Sequence, residues 1–297
     1  MKKPFLKWVG GKSQIIDKII PKIPNEINNY HELFLGGGSV LLTILSLQKN
    51  NKLKINNKIY AYDLNEGLIN VYKNIQNKKD EVYKYIQKYL KEYDSLTGNE
   101  INRKPLTLTE AKTSKESYYY WLRKKFNNIT NKSNVEYSAL FILLNKLCFR
   151  GIYREGPNGF NVPYGHYKST PTVITQSELD NISVLIQNVE FIHMGFNDSI
   201  KKIKAGDFVY LDPPYAPETS TSFVGYTKDG FNIDMHKLLF NEINKFNNKN
   251  IKFVMSNAKV KLVTDYFNNY NIMDIEAKRA IHSKKPNTKT TEVIIYN

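Results

Sequence analysis

Short apolar runs that stop at small or polar residues constrain the fold of this chain more than any other feature of its sequence. Each run spans four to six residues and is rich in Val, Ile, Tyr and Phe, which is typical of buried strands. Such runs with helices between them predict an α/β sheet, in which ligands bind at the carboxyl ends of the strands. The runs are residues 30–34, 58–62, 207–211, 251–255 and 292–296.

The region between residues 66 and 175 has a different pattern. Its periodicity predicts helices over residues 80–93, 114–126 and 135–147, followed by a loop rich in Gly, Pro and Tyr. Between residues 100 and 175 there are twelve Lys or Arg side chains against five Glu and no Asp. This balance favours a second, basic domain that grips a polyanion. A solvated helical lobe with incidental charge fits the composition equally well.

The whole chain carries a formal charge of +15, from 43 basic and 28 acidic residues among 297. An excess of this size favours a polyanionic partner, because an enzyme of small neutral metabolites gains nothing from self-repulsion. The alternative is a compositional bias toward Lys and Asn. Aromatic residues make up 13% of the chain, which excludes a disordered protein.

Several classes of protein are excluded by the cysteine count and by the length of the apolar runs. A single cysteine, Cys148, rules out an internal disulfide and a multi-thiolate metal site. The longest clean apolar run, residues 139–144, is too short to cross a bilayer, and Lys7 and the glycines after it interrupt any signal-peptide core. The expected protein is a cytoplasmic monomer with neither a metal nor a membrane as its partner.

Two glycine-rich segments are similar to nucleotide-binding loops but lack their full patterns. Residues 10–13 lack the first glycine of a phosphate-binding loop, and Leu41 stands where a dinucleotide fingerprint needs its third glycine. What remains is a strand, the glycine turn at residues 36–38, a helix over residues 40–47 and a second strand that ends at Asp63. This pattern fits an adenosine-type ligand whose ribose hydroxyls donate to the acid. A tight turn with a helix-capping aspartate is the alternative.

Asp212-Pro213-Pro214-Tyr215 follows a strongly apolar strand. Two consecutive prolines remove two backbone donors, so their carbonyls can face a substrate. Methylation of an exocyclic adenine amine needs such groups, because the amine lone pair is delocalised into the ring. Hydrogen bonds from the amine to Asp212 and to the Pro213 carbonyl would favour a tetrahedral nitrogen, and Tyr215 would stack on the base. An adenine in a duplex must be flipped out to reach such a pocket.

Six motifs occur in a fixed order along the chain: Pro4-Phe5-Leu6-Lys7-Trp8-Val9-Gly10-Gly11-Lys12, Phe34-Leu35-Gly36-Gly37-Gly38, Asp63-Leu64-Asn65, Phe160-Asn161-Val162-Pro163-Tyr164-Gly165-His166-Tyr167-Lys168, Asp212-Pro213-Pro214-Tyr215 and Ser256-Asn257. This set resembles the Dam-type, or D12-class, adenine-specific DNA methyltransferases of the alpha group. The resemblance implies a Rossmann-like α/β sheet of the S-adenosylmethionine-dependent methyltransferases, with an inserted, mainly helical target-recognition domain. The implied catalytic domain spans residues 1–65 and 176–297, and the implied DNA-binding domain spans residues 66–175.

The resemblance also implies which residues hold the cofactor. Lys12 would pair with the carboxylate of S-adenosylmethionine, Asp63 would hold the ribose hydroxyls, and Asp212 would lie between the cofactor and the target amine. Taken alone, Trp8 would more often be a core aromatic residue. The implied cofactor-binding residues are Trp8, Lys12, Phe34, Gly36, Gly38, Asp63 and Asp212, and the implied catalytic residues are Asp212, Pro213 and Tyr215.

Within the segment 150–168, residues 150–154 together with residues 161–168 resemble the DNA-reading loop of family members that recognise GATC, so duplex DNA is the expected partner. Arg154 would pair with guanine in the major groove, and Ile152 and Pro163 would pack near base edges or the flipped base. Lys168 would contact a phosphate. The implied DNA-binding residues are Arg150, Ile152, Arg154, Pro163, His166 and Lys168.

Two further segments are expected to meet DNA. The basic run over residues 278–285 would contact phosphates, with a solvated surface as the alternative for Lys284 and Lys285. The loop over residues 216–232, which contains Phe223 and Tyr226, is expected to become ordered only when DNA is bound.

The chain departs from the family pattern at three places. Arg150 stands where relatives often carry Asn, and His166 stands where they often carry Arg or Lys. Residues 194–198 replace the Gly-Asp-Phe that usually precedes the Asp212 strand, so the residue that meets the cofactor adenine is undetermined. Two other functions remain open: methylation of an RNA adenine or a protein glutamine, and DNA binding by a regulator that has lost catalysis.

Overall fold

The computed structural model describes residues 4–217, 231–278 and 289–297. The DNA-contacting predictions for Phe223, Tyr226 and residues 279–285 therefore lie outside the described residues. The helices of the described residues are α1 (Ile16–Ile19), α2 (Ser39–Lys49), α3 (Glu66–Asp94), α4 (Leu108–Ala111), α5 (Lys115–Asn128), α6 (Val135–Leu147), α7 (Gln176–Leu185), α8 (Phe196–Ser199), α9 (Ile233–Ile243) and α10 (Lys261–Tyr266). Short 3₁₀ turns lie at Lys12–Gln14, Ile20–Lys22, Phe149–Gly151, Ile200–Lys202 and Asn247–Lys249.

The main sheet of the described residues has seven strands: β1 (Tyr30–Glu32), β2 (Ile59–Asp63), β3 (Val189–His193), β4 (Phe208–Leu211), β5 (Lys252–Ala258), β6 (Asn271–Lys278) and β7 (Lys289–Tyr296). Their order in the sheet is β3-β2-β1-β4-β5-β7-β6. Strands β1 to β5 are parallel, and β7 is antiparallel to both of its neighbours. This is a Rossmann-like order completed by an antiparallel hairpin, so the predicted α/β fold class is confirmed. Two-residue strands pair separately, Glu26–Ile27 with Lys54–Ile55 and Glu155–Gly156 with Gly159–Phe160.

The strand order fixes where a ligand can bind. Strand β1 lies between β2 and β4, with Tyr30 opposite Ile59 on one side and Phe208 on the other. The chain leaves β1 toward β2 and later returns to β4 on the opposite side, which makes this position the switch point of the sheet. The glycine loop after β1 and Asp212 after β4 therefore emerge side by side at the same edge.

The two strands that the apolar runs did not predict, β3 and β6, form the edges of the sheet. In β3, Val189 and Phe191 are buried whereas Glu190 and His193 are exposed. An edge strand keeps polar residues on its open face, so its sequence alternates instead of forming a continuous apolar run.

The chain forms two compact units. Of the described residues, unit 1 contains those of 12–64 and 188–297, including the whole seven-stranded sheet. Unit 2 contains residues 4–11 and 65–187, including helices α3 to α7. Unit 2 is thus the mainly helical part of the chain.

The boundaries of these units differ from the predicted domains in two segments. Helix α7 joins unit 2 because Lys79 of α3 pairs with Asp180 at 2.5 Å and Gln76 donates to the Ile186 carbonyl at 2.8 Å. The N-terminal segment joins unit 2 as well, since Phe5 packs edge-on against Tyr72 with ring centroids 5.3 Å apart. Both differences come from contacts between residues far apart in sequence.

None of the helices in the described residues is both long and apolar enough to cross a membrane.

His236 is a buried histidine in the core of unit 1. It lies near the start of α9, with its ring 4.6 Å from that of Phe231 and 5.7 Å from that of Phe240. Neither ring nitrogen has a hydrogen-bond partner among the described residues, and burial lowers the pKa of His236 to about 4. In the unfolded chain His236 takes up a proton near pH 6.5, whereas in the folded chain it does so only near pH 4. The free energy of unfolding therefore decreases as the pH falls from about 6.5 toward 4.

Replacement of His236 by leucine is expected to remove part of this acid sensitivity. Between pH 7 and pH 4.5 the variant should lose about 2 to 3 kcal/mol less unfolding free energy than the wild type. Urea titrations at both pH values measure the difference. His193→Leu is the control, since it removes an exposed histidine and keeps the buried His236 in place. If His236→Leu and the wild type lost the same unfolding free energy between pH 7 and pH 4.5, the assignment of this acid sensitivity to His236 would be contradicted.

Candidate active site

The glycine loop between β1 and α2 contains two residues with a left-handed backbone. Gly36 and Gly38 have φ angles of 49° and 67°, which residues with a Cβ rarely adopt. The Gly36 N–H donates to Asp63 Oδ2 at 2.9 Å, so the carboxylate at the end of β2 holds the loop in place. Helix α3 is capped by Asn65, which accepts from the Leu68 N–H, and the alternative of Asp63 as a helix cap is therefore wrong.

Asp212 directly follows β4 and forms an ion pair with Lys12. The Lys12 Nζ lies 2.7 Å from Asp212 Oδ1, with the lysine side chain 4% exposed and the aspartate 20% exposed. The Lys12 N–H donates to Ser39 Oγ at 3.1 Å, which anchors the lysine to the start of α2. Burial raises the pKa of Asp212, and the Lys12 ammonium acts in the opposite direction. The sequence predicted both residues for one site but did not predict that they contact each other.

Tyr215 closes the Asp-Pro-Pro-Tyr turn with both its ring and its hydroxyl engaged. Its hydroxyl donates to Glu292 Oε2 at 2.8 Å, and the Lys12 Nζ lies 4.9 Å from the centre of its ring. Burial, together with the carboxylates of Asp212 and Glu292, raises the pKa of Tyr215, so the hydroxyl keeps its proton. Pro213, which follows Asp212 in this turn, is buried.

The predicted Ser256-Asn257 motif lies on β5 and anchors this turn. Asn257 Oδ1 accepts hydrogen bonds from the Ala216 N–H at 2.9 Å and from the Ala258 N–H at 2.8 Å. Ser256 Oγ lies 3.1 Å from the Tyr210 hydroxyl. Both motif residues are fully buried, so β5 fixes the backbone that follows Tyr215.

Glu32 is a buried carboxyl group at this edge that the sequence reasoning missed. It lies at the end of β1, 2% exposed, and accepts a hydrogen bond from the Tyr30 hydroxyl at 2.6 Å. Burial, with smaller contributions from Asp212 and Asp63, raises the pKa of Glu32 to about 8. Glu32 is therefore mostly protonated at neutral pH, which spares Asp212 and Asp63 the repulsion of a third negative charge.

Aromatic rings line the same edge of the sheet. The Phe34 ring lies 6.0 Å from that of Phe196 and 6.1 Å from that of Phe231. Phe34 is partly exposed, whereas Phe196 is buried at the start of α8. Phe196 belongs to the segment 194–198, in which the sequence left the contact to the cofactor adenine undetermined.

Trp8 is packed within unit 2, whereas the other predicted cofactor residues lie in unit 1. Its ring stacks on Tyr153 at 5.5 Å and on Phe141 at 6.3 Å. These contacts match the expectation for a core aromatic residue, and the cofactor role of Trp8 stays a prediction from the resemblance.

Helix α5 holds one side of the segment 150–168. The Val162 carbonyl accepts from the Tyr119 hydroxyl at 2.8 Å and from Arg123 Nη1 at 3.0 Å. Asn127 Oδ1 accepts a hydrogen bond from the Phe160 N–H at 2.9 Å, and Asn127 Nδ2 donates to the Phe160 carbonyl at 3.0 Å. Side chains of a rigid helix thus hold the backbone of this segment in a fixed conformation.

Asn145 of α6 holds the other side of the segment. Its amide Oδ1 accepts from the Lys7 N–H at 2.9 Å, and its Nδ2 donates to the Lys7 carbonyl at 2.8 Å and to the Gly151 carbonyl at 3.2 Å. Asn145 is 2% exposed. One buried amide therefore ties the N-terminal segment to the turn at Gly151.

The predicted DNA-contacting side chains project from this framework. Arg154 is exposed, and its Nε donates to Asn161 Oδ1 at 2.7 Å. The guanidinium of Arg150 lies 5.2 Å from the ring of Phe149, and both residues are exposed. The remaining residues predicted to contact DNA differ in exposure. Ile152 is half-buried, whereas Pro163, His166 and Lys168 are exposed.

Comparison with known proteins identifies the family. The profile of the D12 class N6 adenine-specific DNA methyltransferases matches residues 8–281. The chain belongs to this D12 class. Among its relatives are the type II methyltransferase M.MjaIII of Methanocaldococcus jannaschii, 35% identical, with 99% of each chain covered, and the type II methyltransferase M1.LlaDCHI of Lactococcus lactis subsp. cremoris, 30% identical, with 99% and 95% covered. A DNA adenine methylase of Haemophilus influenzae is 28% identical, with 98% of this chain and 92% of the relative covered.

As a D12-class methyltransferase, the protein is an adenine-specific DNA methyltransferase with S-adenosylmethionine as its methyl donor. The groups at the switch point fit an adenosine-containing donor. Gly36 and Gly38 have a left-handed backbone, the Asp63 carboxylate accepts the Gly36 N–H, and the half-buried Phe34 precedes the two glycines in the loop. Among the described residues, no group of three or more His, Cys, Asp or Glu side chains is arranged to hold a metal ion.

Two departures from the D12 pattern fall on unusual backbone. Arg150 has a φ of 56° and His166 a φ of 48°. Asn is among the residues that adopt this region most easily, so the backbone at Arg150 would also suit Asn. His166 also tolerates it, and its Nδ1 lies 3.6 Å from Glu116 Oε2.

Proposed function

We propose that this D12-class enzyme transfers the methyl group of S-adenosylmethionine to the exocyclic amine of adenine within GATC in duplex DNA, by base flipping and direct transfer. The observation that carries the proposal is the Asp212 carboxylate at the carboxyl end of β4, paired with Lys12 at 2.7 Å and followed by Tyr215. Direct transfer requires a hydrogen-bond acceptor for the amine and a ring to hold the base, and this turn supplies both.

The cofactor would be held by Phe34, Gly36, Gly38 and Asp63 at the switch point, with Lys12 and Asp212 beside them and Trp8 as a further contact implied by the family. S-adenosylmethionine, when bound, supplies a methyl group activated by its positively charged sulfur. The protein's own residues orient the acceptor and exclude water from it. The Gly36 N–H bond to Asp63 supports a ribose-binding role, because it fixes the carboxylate next to the loop.

Asp212 would accept one N–H of the target amine and the Pro213 carbonyl the other. These two hydrogen bonds would direct the nitrogen lone pair toward the methyl group. As the nitrogen–methyl bond forms and the sulfur–methyl bond breaks, the donor would leave as a neutral thioether and the amine would release one proton, for which the Asp212 carboxylate is an acceptor. The raised pKa of Asp212 makes the Lys12 ammonium important, because only an ionised carboxylate has both oxygens available as acceptors. Tyr215 would stack on the flipped adenine.

The segment 150–168 would read the DNA sequence. Its resemblance to GATC-reading loops supports that target, and the Asn161 contact, which orients the Arg154 guanidinium, supports a bidentate contact with guanine. We place the reaction in the cytoplasm, on a single protein chain. Two relatives named type II methyltransferases support a role in restriction and modification.

Arg154→Lys is expected to lower the preference for GATC by about ten- to a hundredfold, because lysine keeps the charge but loses the fork that reads guanine. The measurement compares kcat/KM on a GATC duplex with that on a duplex in which another pair replaces the guanine pair. Lys168→Ala is the control. It should weaken binding to both duplexes alike and reduce the salt dependence by about one charge. If Arg154→Lys kept the wild-type preference for the GATC duplex, the proposed contact between Arg154 and guanine would be contradicted.

The test of the proposed function is transfer of a labelled methyl group to three acceptors. These are a duplex with one GATC site, the same duplex with GTAC in its place, and single-stranded RNA of the same sequence. The proposal predicts label in the GATC duplex at a rate well above that in the other two. Preferred labelling of RNA, labelling of the protein itself, or DNA binding without transfer would each replace the proposal with one of its alternatives.

A further inference from the structure

Glu292 lies beside the active site although no sequence motif includes it. It is near the start of β7, where its backbone pairs with Ala258 at the end of β5. Because β7 runs antiparallel to β5, its first residues reach the edge at which β4 and β5 end. The side chain of Glu292 therefore meets the turn that carries Asp212 and Tyr215.

The contact between Glu292 and Tyr215 fixes the orientation of the tyrosine ring. Asn257 already holds the backbone after Tyr215 through the Ala216 N–H. The ring could still turn about its side-chain bonds, and the 2.8 Å hydrogen bond from its hydroxyl to Glu292 Oε2 anchors the far end. A hydrogen bond to an ionised acceptor is among the stronger ones that proteins form.

We propose that Glu292 is a positioning residue for methyl transfer, which holds the Tyr215 ring in the orientation that stacks on the flipped adenine. The inference rests on the proposed function. It adds a carboxylate from the C-terminal strand to the residues that the reaction requires. Glu292 acts through the Tyr215 hydroxyl and does not touch the substrate.

Glu292 has a second, electrostatic effect that provides an independent signal. Its carboxylate raises the pKa of Asp212, as burial does, while the Lys12 ammonium lowers it. The charge of Asp212 in turn raises the pKa of Glu32 at the same edge of the sheet. Removing the charge of Glu292 should therefore shift the acid limb of the kcat profile to lower pH, which the loss of a packing contact alone would not do.

The test uses Glu292→Ala, Glu292→Gln, Tyr215→Phe and the double variant Tyr215→Phe/Glu292→Ala. Glu292→Ala should lower kcat by about ten- to a hundredfold, the size expected for a hydrogen bond to a charged group. Glu292→Gln keeps a hydrogen-bond acceptor for the Tyr215 hydroxyl, so its kcat should fall less than that of Glu292→Ala. In the Tyr215→Phe background, Glu292→Ala should have almost no further effect on the kcat measured at a pH above the acid limb, because the hydrogen bond it would break is already absent. Cofactor affinity and melting temperature report whether each variant is folded.

The outcomes separate this inference from the proposed function. Failure of the wild type to methylate duplex DNA would remove both. If the wild type is active, a Glu292→Ala variant with unchanged kcat would overturn the inference alone. An equal loss from Glu292→Ala with Tyr215 and with Phe at position 215 would also overturn it. A smaller loss in Glu292→Gln, together with an acid limb shifted to lower pH, would support it.

Discussion

Replacement of Asp212 by alanine should lower kcat by about a thousandfold, since it removes the acceptor that the target amine needs and the ion pair with the Lys12 ammonium. Asp212→Asn keeps one carbonyl acceptor but loses the charge, so its activity should fall between those of alanine and wild type. Single-turnover methylation of a GATC duplex measures the chemical step separately from product release.

The pH dependence gives a second readout for Asp212. Burial raises the pKa of this carboxyl, so the wild-type rate should fall on the acid side at a higher pH than an ordinary aspartate would give. That limb should disappear in Asp212→Asn, which cannot be protonated. Lys12→Met removes the opposing charge and should move the limb to still higher pH. An acid limb that persists in Asp212→Asn would assign it to another group.

Replacement of Asn145 by alanine should destabilise unit 2 by about 4 kcal/mol, because three backbone groups lose a hydrogen-bond partner in a buried site. Those groups belong to Lys7 and Gly151, so the variant should also lose discrimination between GATC and other sequences. Hydrogen exchange at the Lys7 amide measures the local stability, and competition between duplexes measures the discrimination.

Asn145→Asp is the matched control for this prediction. The aspartate keeps an acceptor for the Lys7 N–H but has no amide N–H for the two carbonyls. Because a buried carboxylate would also face the two carbonyl oxygens without a donor, the stability of Asn145→Asp should fall at least as far as that of Asn145→Ala. Unchanged exchange at Lys7 in the alanine variant would contradict the role of Asn145.

The part of the fold that carries the site could be predicted because its strands are buried on both faces. Central strands β1, β2, β4 and β5 each coincide with an apolar run, and the residues at their carboxyl ends follow directly from the sequence. Edge strands β3 and β6 alternate polar and apolar residues, which a search for continuous apolar runs passes over. A search for period-two alternation would have found β6, in which apolar and polar residues alternate from Met273 to Lys278.

The pairing of side chains across the site could not be predicted, because it depends on contacts between distant residues. Lys12 and Asp212 are two hundred positions apart, and Tyr215 meets Glu292 only through the final strand. Asn145 is one of several polar residues in the largely apolar helix α6, and its neighbour Lys146 is polar too. The sequence around Asn145 therefore fits an exposed position as well as a buried one. Local periodicity carries no information on such contacts.

Nucleoside analysis of duplex DNA after reaction with S-adenosylmethionine tests the central claim most directly. N6-methyladenine is the expected methylated nucleoside, formed by the wild type at GATC sites and formed about a thousandfold more slowly by Asp212→Ala. Methylation of another base by the wild type, or N6-methyladenine formed equally well by Asp212→Ala, would contradict it.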